Sequence, residues 1–189
     1  MNRKIVVWAS LLGFAFLLSI CIGQEQKAKP EAYSAVAVAT GGVAGGSMLG
    51  FNFFMDEYTS DADMMKYVTL LKDSGMDALR RALEKENKGR IYPDAGTGNQ
   101  IAIARKRQAG ANTVITIVTA RTMPFLELRN AGRSTDYSLG FLQVTLNKAG
   151  EGTGQMLAAA KIKFNKKQGQ YEIESYGHQY IKVVNIRPQ

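Results

Sequence analysis

Residues 100–121 read QIAIARKRQAGANTVITIVTAR. On both sides of Ala109-Gly110-Ala111-Asn112 the apolar residues recur with period two, the spacing of a strand and not of a helix. Two such arms joined by a short glycine-containing turn form an antiparallel hairpin. In the first arm Arg105 and Arg107 face one way and Lys106 the other.

The same period continues downstream. FLQVTLN (141–147) sets Leu142, Val144 and Leu146 against Phe141, Gln143 and Thr145. MLAAAKIKF (156–164) sets Ala158, Ala160, Ile162 and Phe164 against Lys161 and Lys163. Gly152 to Gly154 and Asn165 to Gly169 supply turns; QYEIESY follows, then YIKVVNI beyond Gly177-His178. Strands in succession with short turns pair antiparallel.

Upstream, AYSAVAVAT is a first strand that runs into the glycine cluster Gly41 to Gly46. That cluster lacks both a P-loop ending and dinucleotide spacing, so it is a connection. FNFFMDEYT is a second strand, with Phe51, Phe53 and Met55 on one face. Thr59-Ser60-Asp61-Ala62-Asp63 starts a helix with a hydroxyl cap and an acid three residues on. Met64, Val68 and Leu71 form its stripe. Ser74-Gly75 breaks it, and a second helix with Met76, Leu79 and Leu83 runs on until Gly89. The predicted fold is therefore α+β: one twisted antiparallel sheet, able to curl into a partial barrel, with a helical pair after the second strand.

The 189-residue chain suits one domain, and 46% apolar with 21% charged residues is ordinary for a globular protein. The start differs in kind. Asn2-Arg3-Lys4 precede the apolar run Ile5 to Ile20, with small residues at Cys21 and Gly23. This reads as a signal peptide, residues 1–23, cleaved after Gly23. The run is shorter than the about 20 residues of a membrane span, so an uncleaved anchor is the secondary reading. Leu18-Ser19-Ile20-Cys21 also resembles a bacterial lipobox, although Ile20 departs from its small-residue pattern; lipid on Cys21 would tether the domain to a membrane surface. Residues 24–32 read as a linker and 33–189 as the single domain.

Cleavage removes the only cysteine, Cys21, and the only tryptophan, Trp8. The remaining domain has no disulfide, thiolate nucleophile or cysteine-bound metal. A lone histidine, His178, excludes a multi-histidine metal site and a histidine triad within one chain. Asp56, Glu57, Asp61 and Asp63 lie close in sequence, but the helix start accounts for Asp61 and Asp63; no metal and no cofactor are expected. The formal charge falls from +8 to +6 when Arg3 and Lys4 leave. A basic exported domain favours anionic neighbours such as headgroups, acidic glycans or wall polymers, and no nucleic-acid motif is present. Lys161, Lys163, Lys166 and Lys167 could add to such a basic face.

The densest polar cluster lies in RTMPFLELRNAGRSTDYSLGF (121–141). Glu127 and Asp136 could act as paired acid and base on a glycosidic bond. Arg121, Arg129 and Arg133, with Tyr137, are candidate binding residues, since guanidinium groups clamp carboxylates and phosphates. The same arginines also hold carboxylates ionised, which suits a salt-bridged loop better than a general acid.

Arg121, Pro124, Phe125, Glu127, Leu128, Arg129 and Asn130, then Arg133, Ser134, Asp136 and Tyr137, form R-x-x-P-F-x-E-L-R-N…R-S-x-D-Y. L-x-V-x-L-N-x-x-G-x-G-x-G and the run Ala159 to Phe164 follow. From about Tyr58 onward the chain resembles a family of uncharacterised exported bacterial proteins. The resemblance implies export and brings no activity or ligand. The expectation is a non-catalytic exported domain, periplasmic or extracellular, that binds or scaffolds an anionic envelope component or an apolar ligand. The alternatives are an envelope-polymer hydrolase using Glu127 and Asp136, and a lipid-anchored membrane-surface protein.

Overall fold

The computed structural model of the chain describes residues 29–39, 46–123, 137–165, 170–175 and 181–189. They form one antiparallel sheet of ten strands, curled into a half-barrel, and a single helical element. The strands are β1 Glu31–Ala39, β2 Met48–Met55, β3 Gly89–Pro93, β4 Asn99–Gln100, β5 Ile103–Ala109, β6 Asn112–Thr119, β7 Leu139–Leu146, β8 Gly152–Asn165, β9 Gln170–Ser175 and β10 Ile181–Pro188; helix α1 is Asp61–Leu83. Their order is β4-β3-β2-β1-β10-β8-β7-β6-β5, with β9 on the far half of β8. β1 starts at Glu31, two residues before the domain start read from sequence.

Alternation builds the interior. Tyr33, Ala35 and Ala37 from β1 meet Phe51, Phe53 and Met55 from β2, Ile115 and Ile117 from β6, and Leu142, Val144 and Leu146 from β7. Phe51, Phe53, Ile115, Ile117, Leu142 and Val144 are wholly inaccessible to solvent. Burying each such side chain contributes about 1.5 to 3 kcal/mol. The interior is thus filled by the protein's own side chains.

β6 to β8 are apolar on their outer face as well. Val118, Leu139, Phe141 and Ala160 pack there against Tyr67, Leu79 and Leu83 of α1. Strands covered on both sides carry nearly continuous apolar runs, which explains TVITIV and LGFL.

Helix α1 begins where the sequence predicts. The Ser60 hydroxyl oxygen accepts from the Asp63 backbone N–H at 3.1 Å, and Asp61 and Asp63 sit in the first turn while Arg80 and Arg81 sit in the last. The expected break at Ser74-Gly75 is present as a kink: Gly75 leaves helical geometry (φ 79°, ψ −174°), and the helical segments on either side run together as the single element α1. The buried stripe also shifts: Tyr67 is buried and Val68 is 37% exposed.

Strand β8 corrects a second expectation. Ala158 belongs to the half-barrel interior, yet Ala160 and Ile162 lie on the helix side. Pairing slips between Leu139↔Ala160 and Phe141↔Leu157. One extra residue in a bulge moves all later side chains to the opposite face.

The open side of the half-barrel is bridged by the segment after β2 and by the link from β4 to β5. Thr59 N–H donates to the Ala104 carbonyl at 2.7 Å, and Ala104 N–H donates to the Thr59 hydroxyl at 3.0 Å. The Ile101 carbonyl accepts from Lys88 N–H at 2.7 Å, while Ile101 N–H donates to the Gly89 carbonyl at 2.9 Å. Arg105 adds a bond to the Thr59 carbonyl and an ion pair with Asp61.

Candidate functional site

On β5, Ala104 lies in the interior, and Lys106 and Gln108 continue along the same face to where the half-barrel opens. On β1 the interior face runs back from Tyr33 to Glu31. Strand curvature therefore brings a lysine and a glutamate from non-neighbouring strands together at the mouth. Lys106 Nζ lies 2.6 Å from Glu31 Oε1 and 5.5 Å from the centre of the Tyr58 ring. The hydroxyls of Tyr33 and Tyr58 each donate to Glu31 Oε2 at 2.9 Å. Tyr33 is fixed from below by stacking on Phe53, with ring centres 5.1 Å apart and planes within 16°.

These contacts set the protonation states. Burial acts to raise the Glu31 pKa, but hydrogen bonds from Lys106, Tyr33 and Tyr58 and the Lys106 charge outweigh it, and the carboxyl is held below its ordinary value. Burial first, and Glu31 second, push both tyrosine hydroxyls well above theirs. Around neutral pH the cluster is an ionised carboxylate, an ammonium and two protonated phenols, with both carboxylate oxygens engaged.

Beside this cluster lies a cleft of about 480 Å³, lined among others by Tyr33, Lys106, Gln108, Thr113, Asn147 and Lys148. Two turns frame it. Gly110 (φ 63°) turns β5 into β6. Between β7 and β8, Asn147 Oδ1 accepts from Ala149 N–H at 2.8 Å and from Glu151 N–H at 3.0 Å. That side chain shapes the turn itself, which places the exposed Lys148 on the rim. The cleft thus joins an aromatic floor to two ammonium groups, one of them already paired. Such a rim attracts anions and hydrogen-bond acceptors.

Of the sequence-predicted site residues, Arg121 and Tyr137 are described. Arg121 lines a separate cleft of about 240 Å³ together with Glu84, Glu86, Arg90, Asn99 and Gln100. Tyr137 donates to Glu174 Oε1 at 2.5 Å and lies under Lys161 Nζ, 4.4 Å from the ring centre. Lys161 and Glu174 are 3.6 Å apart, so Tyr137 braces the β8–β9 hairpin. Glu127, Arg129, Arg133 and Asp136 lie outside the described residues, as do His178, Lys166, Lys167 and Cys21. Among the described residues no group of three or more His, Cys, Asp or Glu side chains could hold a metal ion. Asp61 faces Arg105, and Glu57 faces Lys88. Sequence reasoning missed Glu31, Tyr33, Tyr58 and Lys148. The alternation of β5 already separated Lys106 from its arginine neighbours, and that was the available signal.

No known protein family, curated protein or solved structure matches this chain.

Proposed function

We propose that the chain is a non-catalytic exported domain that binds an anionic component of the bacterial cell envelope, with the half-barrel mouth as its binding face. The observation that carries this reading is the cleft at Tyr33, Lys106 and Lys148, where the filled interior gives way to a cationic rim. A filled interior favours a ligand held at the mouth over an apolar molecule enclosed within the sheet. The protonation states favour binding over catalysis, because a general acid or base works best with a pKa near the operating pH. Glu31, Tyr33 and Tyr58 are all displaced away from neutrality. The formal net charge, +8 for the whole chain and +6 without residues 1–23, supports attraction to polyanions through the same rim.

The test is co-sedimentation with purified bacterial envelope fractions at rising salt. Lys148 makes no ion pair among the described residues, so Lys148→Glu inverts the rim charge while leaving the Glu31 cluster intact. The expected result is salt-sensitive binding by the natural chain and at least a fivefold loss in Lys148→Glu. Equal binding by both proteins would remove the mouth from consideration.

A further inference from the structure

We infer that the cleft between the end of α1 and the β3–β4 hairpin is a phosphate-binding site, in which Arg90 and Arg121 grip a singly charged phosphodiester. It is a separate place from the mouth. Thr113 on the mouth and Arg121 lie eight residues apart along and just past β6, roughly 25 Å at strand rise.

Arg90 comes from the first half of β3, where its Cα pairs with that of Gln100, and Arg121 follows β6; both line the same 240 Å³ cleft. Neither guanidinium makes an ion pair among the described residues. Of the acids of the cleft, Glu84 is taken by Arg80 at 2.6 Å, while Glu86 has only a distant contact at 3.9 Å with Lys88, which pairs more closely with Glu57. The amide of Asn99 is committed too, donating to the Thr122 carbonyl at 2.7 Å, which ties β4 to the chain that carries Arg121. Gly98 fits only as glycine, since a Cβ there would fall 2.1 Å from the Ile91 carbonyl oxygen. The hairpin is therefore held close, and two guanidinium groups that are unpaired among the described residues line the same cleft, beside Glu84 and Glu86.

The shape of the donors selects the ligand. A guanidinium offers paired N–H groups in one plane. Arg90 on β3 and Arg121 just past β6 reach the cleft from different segments of the chain. A tetrahedral phosphate presents oxygens to both, whereas a planar carboxylate presents one edge. The charge selects the ester. Arg90 and Arg121 supply two positive charges; Arg80 offsets Glu84, but Lys88 is shared between Glu57 and Glu86, so one negative charge stays uncompensated. A local excess of about one positive charge suits the monoanionic diester better than a dianionic monoester. Phosphodiesters occur both in lipid headgroups and in soluble or polymeric glycerol phosphates, and the chemistry at the cleft is the same.

Isothermal titration of the purified protein with glycerophosphoglycerol tests the site, with inorganic phosphate and acetate as comparison ligands. Flotation with vesicles of three parts phosphatidylcholine to one part phosphatidylglycerol distinguishes the sources. We expect saturable binding of the diester, weakened at least tenfold by Arg90→Ala or Arg121→Ala. Arg121→Lys should weaken it about fivefold, because it keeps charge and loses the fork. Both arginines are exposed, and an unchanged melting temperature in each variant confirms that the fold persists. Vesicle binding lost in Arg121→Ala assigns the natural source to lipid; binding of the soluble diester alone assigns it to a free or polymeric phosphate. Absent saturable binding, equal binding by the arginine variants, or acetate binding as tightly as the diester would overturn the proposal.

Discussion

Glu31 concentrates the chemistry of the mouth in one side chain. Its carboxylate takes Lys106 on one oxygen and two tyrosine hydroxyls on the other. A carboxyl whose folded pKa lies below its unfolded value contributes stability above the unfolded value, about 4.3, and loses that contribution as pH falls through the folded one. Replacing Glu31 with Gln keeps the size and removes the charge. At pH 7 the variant should be less stable by about 1 to 2 kcal/mol, the scale of charged hydrogen bonds lost from a partly buried site. As pH falls through the lowered pKa of Glu31 the two proteins should converge, and urea midpoints taken from pH 7 into the acid range check this. The sequence showed half of this arrangement. The alternation around Lys106 assigned that lysine to the face opposite Arg105 and Arg107. Glu31 follows Pro30 in a polar stretch that reads as linker, and only pairing with Met55 on β2 makes it part of a strand. Local composition carries no trace of that partner.

At the scale of elements, the β5–β6 turn and the α1 cap were legible, but the turn expected at Gly152 to Gly154 lies earlier, at residues 147–150, and β8 begins at Gly152. Ser60, Asp63 and the alternation of Phe51, Phe53 and Met55 stand where their local chemistry puts them. Gly75 was read as a helix end, and the helix does break there, in a backbone conformation (φ 79°, ψ −174°) essentially reserved for glycine. No heavy atom lies within 4 Å of a Cβ built there, so Gly75→Ala meets only the backbone penalty of that conformation. Its expected cost is about 1 to 3 kcal/mol, measured as a lower urea midpoint with an unchanged slope. The bulge in β8 left no sequence signal, because period-two counting assumes an uninterrupted pleat. Its consequence can be measured. Ala160 is fully buried against α1, so Ala160→Leu should overpack the helix interface and destabilise by about 1 to 3 kcal/mol. If Ala160 instead shared the face of Ala158, the same substitution would leave the packing of α1 unaltered.

For the whole molecule, a twisted antiparallel sheet was readable from strand count and turn spacing, and the curl into a half-barrel appears in the order β4-β3-β2-β1-β10-β8-β7-β6-β5. That order could not be read locally, since β1 pairs with β10 from the opposite end of the chain. The curl is what brings Glu31 to Lys106, and with them the cleft at the mouth. Phe53 anchors this region from within, fully buried and stacked on Tyr33. Phe53→Ala should destabilise by about 3 to 5 kcal/mol in chemical denaturation, and should loosen the mouth by freeing the Tyr33 ring. The proposed function depends on that mouth being the surface that meets an envelope anion. The most direct measurement is hydrogen–deuterium exchange with and without a purified anionic envelope fraction. Slower exchange at residues 106–113 and 146–150 is the predicted result. Bound protein with those two turns unchanged would contradict it.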